Sequence, residues 1–257
     1  MASEETDAIA TPLSANELRQ RLSSHMYTLY MNYSFLIKGG VFTLAALTLF
    51  HLASEPATVS SWVLFIFWCA TLGFSIVAIS TWSRGSLLTN ARANMGDVIL
   101  PLGMAVPEYV MFIVLDPTFT SSSHLSWALP CPWSIWYLAF SAHALFAVGL
   151  TFNRIRQTKV KRDYSIELQT LADEYLKWIK KDCASAAVVS FSSLVLFLST
   201  ITETSQWSWN YLALPKGQWL HAVIALIACY IAFKIIKGAH LNYETIADFR
   251  PAKKPAC

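Results

Sequence analysis

Two titratable side chains stand in the middle of long apolar stretches, where they could bind a proton, an ion or a small ligand. Glu108 lies in VILPLGMAVPEYVMFIVL, and His143 lies in WSIWYLAFSAHALFAVGLTF. At about 1.5 Å per helical residue, each lies ~15 Å from the boundary of its stretch, near the midplane of a bilayer. An ionisable group is costly at that depth, so each residue is a candidate for a functional site. No other charged or titratable residue is predicted at this depth.

The residues just before the glutamate add a second feature to this candidate site. Pro107 lacks the N–H that would bond to the Gly103 carbonyl, so we expect a free carbonyl and a helix bend beside Glu108. Contact between the Glu108 carboxylate and the His143 imidazole would offset the desolvation of both groups. We therefore predict a ligand or proton site that comprises Glu108, His143, Pro107 and Gly103. The alternative is that both titratable residues serve packing in their neutral forms.

The composition indicates that these residues lie inside a membrane. Of the 257 residues, 55% are hydrophobic and only 14% are charged, which is too apolar for an ordinary soluble domain. The pattern predicts an all-α integral membrane protein with six transmembrane helices and two amphipathic helices on the cytoplasmic side. One membrane domain over 14–237 is expected between a disordered tail over 1–13 and a second tail over 238–257. The spans are predicted at about 33–53, 60–82, 98–115, 133–152, 184–202 and 218–236, and the amphipathic helices at about 14–32 and 163–182.

The basic residues orient the chain in the membrane. Every lysine and arginine except Lys216 falls on one predicted side of the bundle or at the span ends on that side. Since cytoplasmic loops carry the excess of lysine and arginine, both termini are predicted to be cytoplasmic. Lys38 lies one turn inside span one, and we expect its side chain to extend back to the interface and anchor the helix. His51 and His221 lie near outer span ends and are expected at the interface.

A basic face marks the second amphipathic helix. Lys177, Lys180 and Lys181 lie opposite the apolar side chains of this segment, which include Trp178 and Ile179. Such a helix is expected at the cytoplasmic surface, where its lysines contact anionic lipid headgroups. Hydroxylated residues are frequent in the next span and are expected to hydrogen-bond to a neighbouring helix; they are Ser185, Ser190, Ser192, Ser193 and Ser199.

Motifs for enzymes and cofactors are missing from the sequence. It contains no HExxH, HxxxH, GxSxG or P-loop pattern, and its five cysteines form no CxxC, so no metal, cofactor or nucleic acid is predicted. His143 with a serine or threonine from another span could form a nucleophile–base pair. In span count and a span-four histidine the chain resembles the six-span androgen-induced lipid hydrolases. That family's threonine near the start of span two has no clear counterpart here, where SSWVLFIFW stands.

Three functions follow from these patterns. The leading one is translocation or sensing of a small solute, ion or proton through a midplane site built from Glu108 and His143. The first alternative is a membrane scaffold or assembly subunit, in which the basic segment over 153–182 binds a cytoplasmic partner or anionic lipid. A homo-oligomer or a membrane partner is possible in either case. The second alternative is an intramembrane lipid-modifying enzyme. The scaffold predicts that Glu108→Gln has no effect, whereas transport or sensing predicts that this substitution abolishes activity.

Overall fold

All secondary structure that the computed structural model describes is α-helical. It describes residues 15–88, 95–118, 132–160, 166–201 and 218–247, and the predicted disordered tail over 1–13 lies outside them. The helices in these ranges are α1 Ala15–Ser54, α2 Val59–Leu88, α3 Met95–Leu115, α4 Pro132–Val160, α5 Ile166–Ile201 and α6 Gln218–Ala247. The predicted all-α architecture is therefore confirmed for the described part of the chain.

Five of these helices are long and apolar enough to cross a membrane. The apolar stretch of α3, Ile99–Leu115, is shorter than the others. At about 1.5 Å per residue it still extends roughly 25 Å, close to the thickness of a bilayer core. The chain is thus a multi-pass integral membrane protein by the length and composition of its helices. The five long stretches are Phe35–Ser54, Val59–Ser80, Trp133–Arg156, Leu176–Thr200 and Trp219–Gly238.

Several helices extend beyond the apolar stretches that they contain. The segment that leads into span one and the one that leads into span five are continuous with those spans, as parts of α1 and α5. The last helix continues to Ala247, past the expected end of span six at 236. Helix propagation needs only backbone hydrogen bonds and helix-compatible residues, so a helix does not stop where its side chains become polar.

The shortest helix occupies the centre of the bundle. Along its length α3 packs against α1, α2 and α4, while α5 packs on α4 and α6 packs on α2. Buried aromatic and aliphatic side chains fill the contacts around α3; among the largest are Phe67, Met111, Phe112, Leu115, Trp136 and Tyr137. A residue in the middle of α3 is therefore enclosed by protein on several sides rather than by lipid.

The peripheral helices α5 and α6 expose broad apolar faces. Phe191 and Leu198 of α5 and Tyr230 and Phe233 of α6 are among these exposed side chains. A soluble monomer rarely exposes apolar patches of this extent, whereas lipid tails cover them at no cost. The outer surface therefore agrees with the apolar lengths of the helices.

Candidate functional site

Three titratable side chains from three helices meet at the centre of the bundle. Glu108 of α3 has no exposed surface, and its two carboxylate oxygens accept hydrogen bonds from the ammonium of Lys38 on α1. On the other side, Nδ1 of His143 on α4 lies 3.4 Å from Oε1 of Glu108. The Lys38 side chain is 12% exposed and that of His143 is 5% exposed. We call Lys38, Glu108 and His143 the buried triad.

The position of Lys38 contradicts the expectation from the sequence. Its ammonium does not return to the interface but pairs with Glu108, so this carboxylate is not the lone charge that the sequence indicated. Lys38 and His51 are separated by about 20 Å along α1, whereas their partners Glu108 and Asp116 are separated by about 12 Å along α3. The long side chain of Lys38 makes up this difference in axial distance, because it extends toward the bundle centre, where Glu108 lies. A buried carboxylate without a partner would be costly, and this requirement outweighs snorkelling.

The hydrogen-bond partner of His143 is a backbone carbonyl. Nδ1 lies 3.2 Å from the carbonyl oxygen of Met104, closer than the carboxylate oxygen of Glu108. Both neighbours of Nδ1 are oxygen atoms that accept hydrogen bonds, so Nδ1 carries the hydrogen in the neutral ring. In that tautomer the lone pair of the ring is on Nε2, which is the atom of His143 that could accept a further proton.

Gly103 of α3 has a packing role in the structure. The helix runs without interruption over Pro101 and Pro107. The carbonyl within hydrogen-bond distance of His143 is that of Met104. A Cβ atom at Gly103 would overlap the ring of Phe146 on α4. Gly103 therefore allows α3 and α4 to approach closely beside the triad.

A partly enclosed cavity borders the triad at one end of the bundle. It measures about 30 Å³ and is lined by Lys38, Phe35, Ala78, Pro101, Met104 and Leu150, among others. This volume accommodates roughly two water molecules. Of the described residues in its wall, Lys38 is the only charged one, and Met104 belongs to both the cavity wall and the His143 hydrogen bond. Water in the cavity would reach the triad from this end.

A layer of large side chains closes the bundle on the other side of the triad. Met111 and Phe112 of α3, Phe67 of α2, and Trp136 of α4 are fully or almost fully buried there. The rings of Phe67 and Trp136 pack edge to face, with centroids 4.7 Å apart. None of these four side chains is charged. They therefore form an uncharged layer between the triad and the far end of the bundle.

A second polar cluster lies beyond that layer, at the far ends of α1 and α3. Nδ1 of His51 lies 2.7 Å from Oδ2 of Asp116, and the Thr118 hydroxyl donates to Oδ1 of Asp116 over 2.6 Å. Burial raises the pKa of the Asp116 carboxyl, but the hydrogen bonds with Thr118 and His51 outweigh burial and hold the pKa below its usual range. Asp116 was not among the candidate residues from the sequence, although it directly follows the apolar stretch of α3.

The remaining residues that the sequence singled out lie outside the triad. His221, which was expected near the outer interface, is fully buried by protein, and its Nδ1 lies 2.9 Å from the hydroxyl of Tyr137. Lys177, Lys180 and Lys181 are exposed on α5, at the start of its apolar stretch. None of these four residues contributes a contact to the buried triad.

The fold and the buried triad define a helical, multi-pass membrane protein with a charged centre. The chain matches no protein-family model, no curated protein and no solved structure. Within the described residues, no three His, Cys, Asp or Glu side chains come close enough together to hold a metal ion. The chemistry available at the triad is the transfer of protons and the exchange of ion-pair partners.

Proposed function

We propose that this protein is a six-span membrane protein that translocates or senses a small solute, ion or proton through the buried triad. The observation that carries the proposal is the ion pair of Lys38 with the fully buried Glu108, beside a cavity that reaches one end of the bundle. Ionisable residues inside a membrane bundle mark ion and proton pathways more often than ordinary packing positions. His143, whose Nδ1 lies 3.4 Å from the carboxylate, supplies a second proton acceptor at Nε2 of the same ring.

Energetics support a functional role for the triad. A buried ion pair is rarely more stable than well-packed apolar side chains of the same volume, so stability alone does not account for three titratable groups here. The same pair has two arrangements, because a proton on Glu108 releases Lys38. The cavity on one side and the aromatic layer on the other favour access from one side at a time over an open pore.

The six-span topology is part of the proposal. The central position of α3 supports a sixth crossing by its shorter apolar stretch, since protein surrounds it on three sides. With six spans and the basic residues inside, both termini are cytoplasmic. A membrane-impermeant thiol reagent should then label Cys131 and spare Cys257 in sealed cells. Labelling of Cys257 from outside, with a Cys257→Ser variant as the control, would exclude this orientation.

The functional test is proton movement in reconstituted vesicles. A pH gradient is imposed on vesicles that contain the purified chain, and the internal pH is followed with a dye. Glu108→Gln should abolish the protein-dependent change of internal pH, because the amide cannot take up the proton. Asp173→Asn, which alters an exposed carboxylate on α5, serves as the matched control and should leave the flux unchanged.

Two further variants separate loss of function from loss of folding. Lys38→Met with Glu108→Gln removes both charges of the ion pair, so no buried charge remains without a partner. This double variant should fold as the parent does and still show no flux. A protein that only senses would show no flux in any variant, but a pH-dependent tryptophan fluorescence that Glu108→Gln removes. Unchanged flux and fluorescence in Glu108→Gln would exclude the carboxylate from the mechanism.

A second candidate function concerns the basic face of α5. Lys177, Lys180 and Lys181 are exposed, whereas Ile179 between them is buried against the bundle. We propose that these lysines bind anionic lipid headgroups, each with roughly 1 kcal/mol. The full chain in neutral detergent should gain thermal stability from added anionic lipid, and replacement of the three lysines by glutamine should remove the gain. Glutamine at the exposed Lys234 and Lys237 of α6 is the control.

A further inference from the structure

The cavity beside the triad has a lining that suits an anion. Among the described residues that line it, Lys38 alone is charged, and the others are apolar: they include Phe35, Ile37, Ile79 and Leu150. A cation in this cavity would face the Lys38 ammonium without a carboxylate in the wall. A small anion would instead gain an ammonium partner and displace no more than about two water molecules. The cavity volume of about 30 Å³ limits the ligand to a monatomic or similarly small ion.

The charges of the triad make anion binding depend on protons. In the described arrangement the ammonium of Lys38 is balanced by the carboxylate of Glu108. A proton on Glu108, or on Nε2 of His143, leaves one excess positive charge in the bundle centre. Within the described residues, α1 presents Lys38 and α4 presents His143 to the carboxylate, and the stretch Val59–Ser80 of α2 contains no acidic or basic residue.

Among the described carboxylates of the central helices, the one nearest to Glu108 along α3 cannot balance this charge. Asp116 lies beyond the aromatic layer and is engaged by His51 and Thr118. Tyr109, the other ionisable side chain beside Glu108, donates its hydroxyl hydrogen to the carbonyl of Ile37. An unbalanced ammonium inside a membrane bundle is costly, and a small anion from the cavity would remove that cost.

We propose that the cavity binds a small monovalent anion such as chloride on Lys38, and that one proton binds to the triad with it. Proton and anion then enter together, and the total charge of the site does not change. This inference rests on the proposed uptake of a proton by Glu108, and it adds the class of the second ligand. By reciprocity, chloride should favour protonation of the triad as much as the proton favours chloride.

The test uses the purified full chain and chloride as the probe, with gluconate as the large anion that the cavity excludes. Tryptophan fluorescence and thermal stability are recorded against chloride concentration at about pH 5 and pH 7.5. The half-saturating chloride concentration of the parent should be at least about fivefold lower at the acidic pH, within the usual range of coupling between two sites. Glu108→Gln should bind chloride with the higher affinity at both pH values, because its lysine has no carboxylate partner.

Variants at Lys38 decide whether the anion binds there. Lys38→Met should remove chloride binding at both pH values, and the double variant with Glu108→Gln should do the same in a chain without a buried unpaired charge. Lys234→Met, which changes an exposed lysine on α6, should bind chloride as the parent does. Chloride binding that survives in the double variant, or that is equal at both pH values in the parent, would overturn the proposal.

The failure of this inference can be told apart from the failure of the proposed function. If Glu108→Gln abolishes the proton response and chloride has no effect on the parent, the anion site is refuted and the proton site stands. If chloride binds through Lys38 but Glu108→Gln leaves both the proton response and the pH dependence unchanged, the coupling and the proposed function are refuted together.

Discussion

Ser141 and Ser190 exchange hydrogen bonds across the contact between α4 and α5. The hydroxyl of Ser141 donates to the carbonyl of Ser190 over 2.8 Å, and the hydroxyl of Ser190 donates to the carbonyl of Ser141 over 2.9 Å. Because both side chains are small, the two backbones can approach closely, and each hydroxyl bonds to the backbone of the other helix. The sequence predicted this role for the serines of span five, and the prediction is confirmed at Ser190.

Removal of either hydroxyl should loosen α5. Ser190→Ala is expected to lower the free energy of unfolding by about 0.6 kcal/mol, the average for such bonds between membrane helices, and by no more than ~2 kcal/mol. Unfolding in mixed detergent micelles measures the change. Ser192→Ala, on the exposed side of the same helix, is the control, and an equal loss in both variants would show that the exchange does not hold the helices together.

The hydroxyl of Thr71 links α2, its own helix, to α4. The indole Nε1 of Trp136 donates to Thr71 over 2.8 Å, and the hydroxyl in turn donates to the carbonyl of Phe67. Thr71→Val keeps the shape but leaves the buried indole N–H without an acceptor, which should cost about 1–3 kcal/mol. Thr43→Val is the control, because that exposed hydroxyl bonds only to Gly39 of its own helix. Equal melting temperatures for the parent and Thr71→Val would contradict the expectation.

Adjacent glycines of α1 should respond in opposite ways to alanine. A Cβ atom at Gly40 would overlap the hydroxyl of Tyr109, whereas a Cβ atom at Gly39 would meet nothing within 4 Å. Gly40→Ala should therefore destabilise the protein by about 1–3 kcal/mol. Gly39→Ala should be neutral or stabilise the protein by up to ~1 kcal/mol, because alanine is the better helix former.

Removal of the tyrosine hydroxyl tests the cause of the clash at Gly40. In a Tyr109→Phe background, Gly40→Ala should lose most of its destabilising effect, since the ring carbon behind the hydroxyl is 3.2 Å from the added atom. A double-mutant cycle on thermal unfolding gives the coupling between the two positions. Strict additivity would show that the hydroxyl is not the obstacle.

The Asp116 cluster should make stability depend on acid pH. Because its pKa in the folded chain lies below the unfolded value near 4, Asp116 contributes stability at every pH above that value. This contribution is lost as the pH falls through the lowered pKa. Asp116→Asn should thus have a lower melting temperature at pH 7 and a smaller further decrease on acidification. Glu55→Gln, an exposed substitution at the same end of the bundle, should keep the acid dependence of the parent.

The sequence indicated Glu108 and His143 as the centre of this protein, but it did not predict that Lys38 pairs with Glu108. Glu108 and His143 were expected at equal depth in antiparallel helices, and their side chains lie 3.4 Å apart. Depth follows from counting residues along a helix, so it can be predicted in one dimension. The direction of a long flexible side chain cannot be predicted in this way. The Lys38 ammonium could reach either the membrane interface or the Glu108 carboxylate. Only the packing of α1 on α3 decides between them.

The same limit explains the other differences. His221 stands near the end of a span in sequence, and its burial depends on Tyr137, which lies 84 positions away. His143 lies beside the Met104 carbonyl because the height of α4 beside α3 selects that carbonyl, and no local pattern encodes that height. The end of α6 at Ala247 was not predicted, because an apolar pattern shows which residues lie in the membrane and not where the helix ends.

The ion pair between α1 and α3 also constrains how the chain is made. Lys38 leaves the ribosome 70 residues before Glu108, and α2 is inserted in between. Until α3 arrives, the lysine can stay at the bilayer surface, where its ammonium is hydrated. The third helix carries a carboxylate, two prolines and the shortest apolar stretch, so it is the least able to enter lipid by itself. Its entry is therefore tied to α1, which is synthesised before it, and the two helices that carry the ion pair enter the membrane interior as a unit.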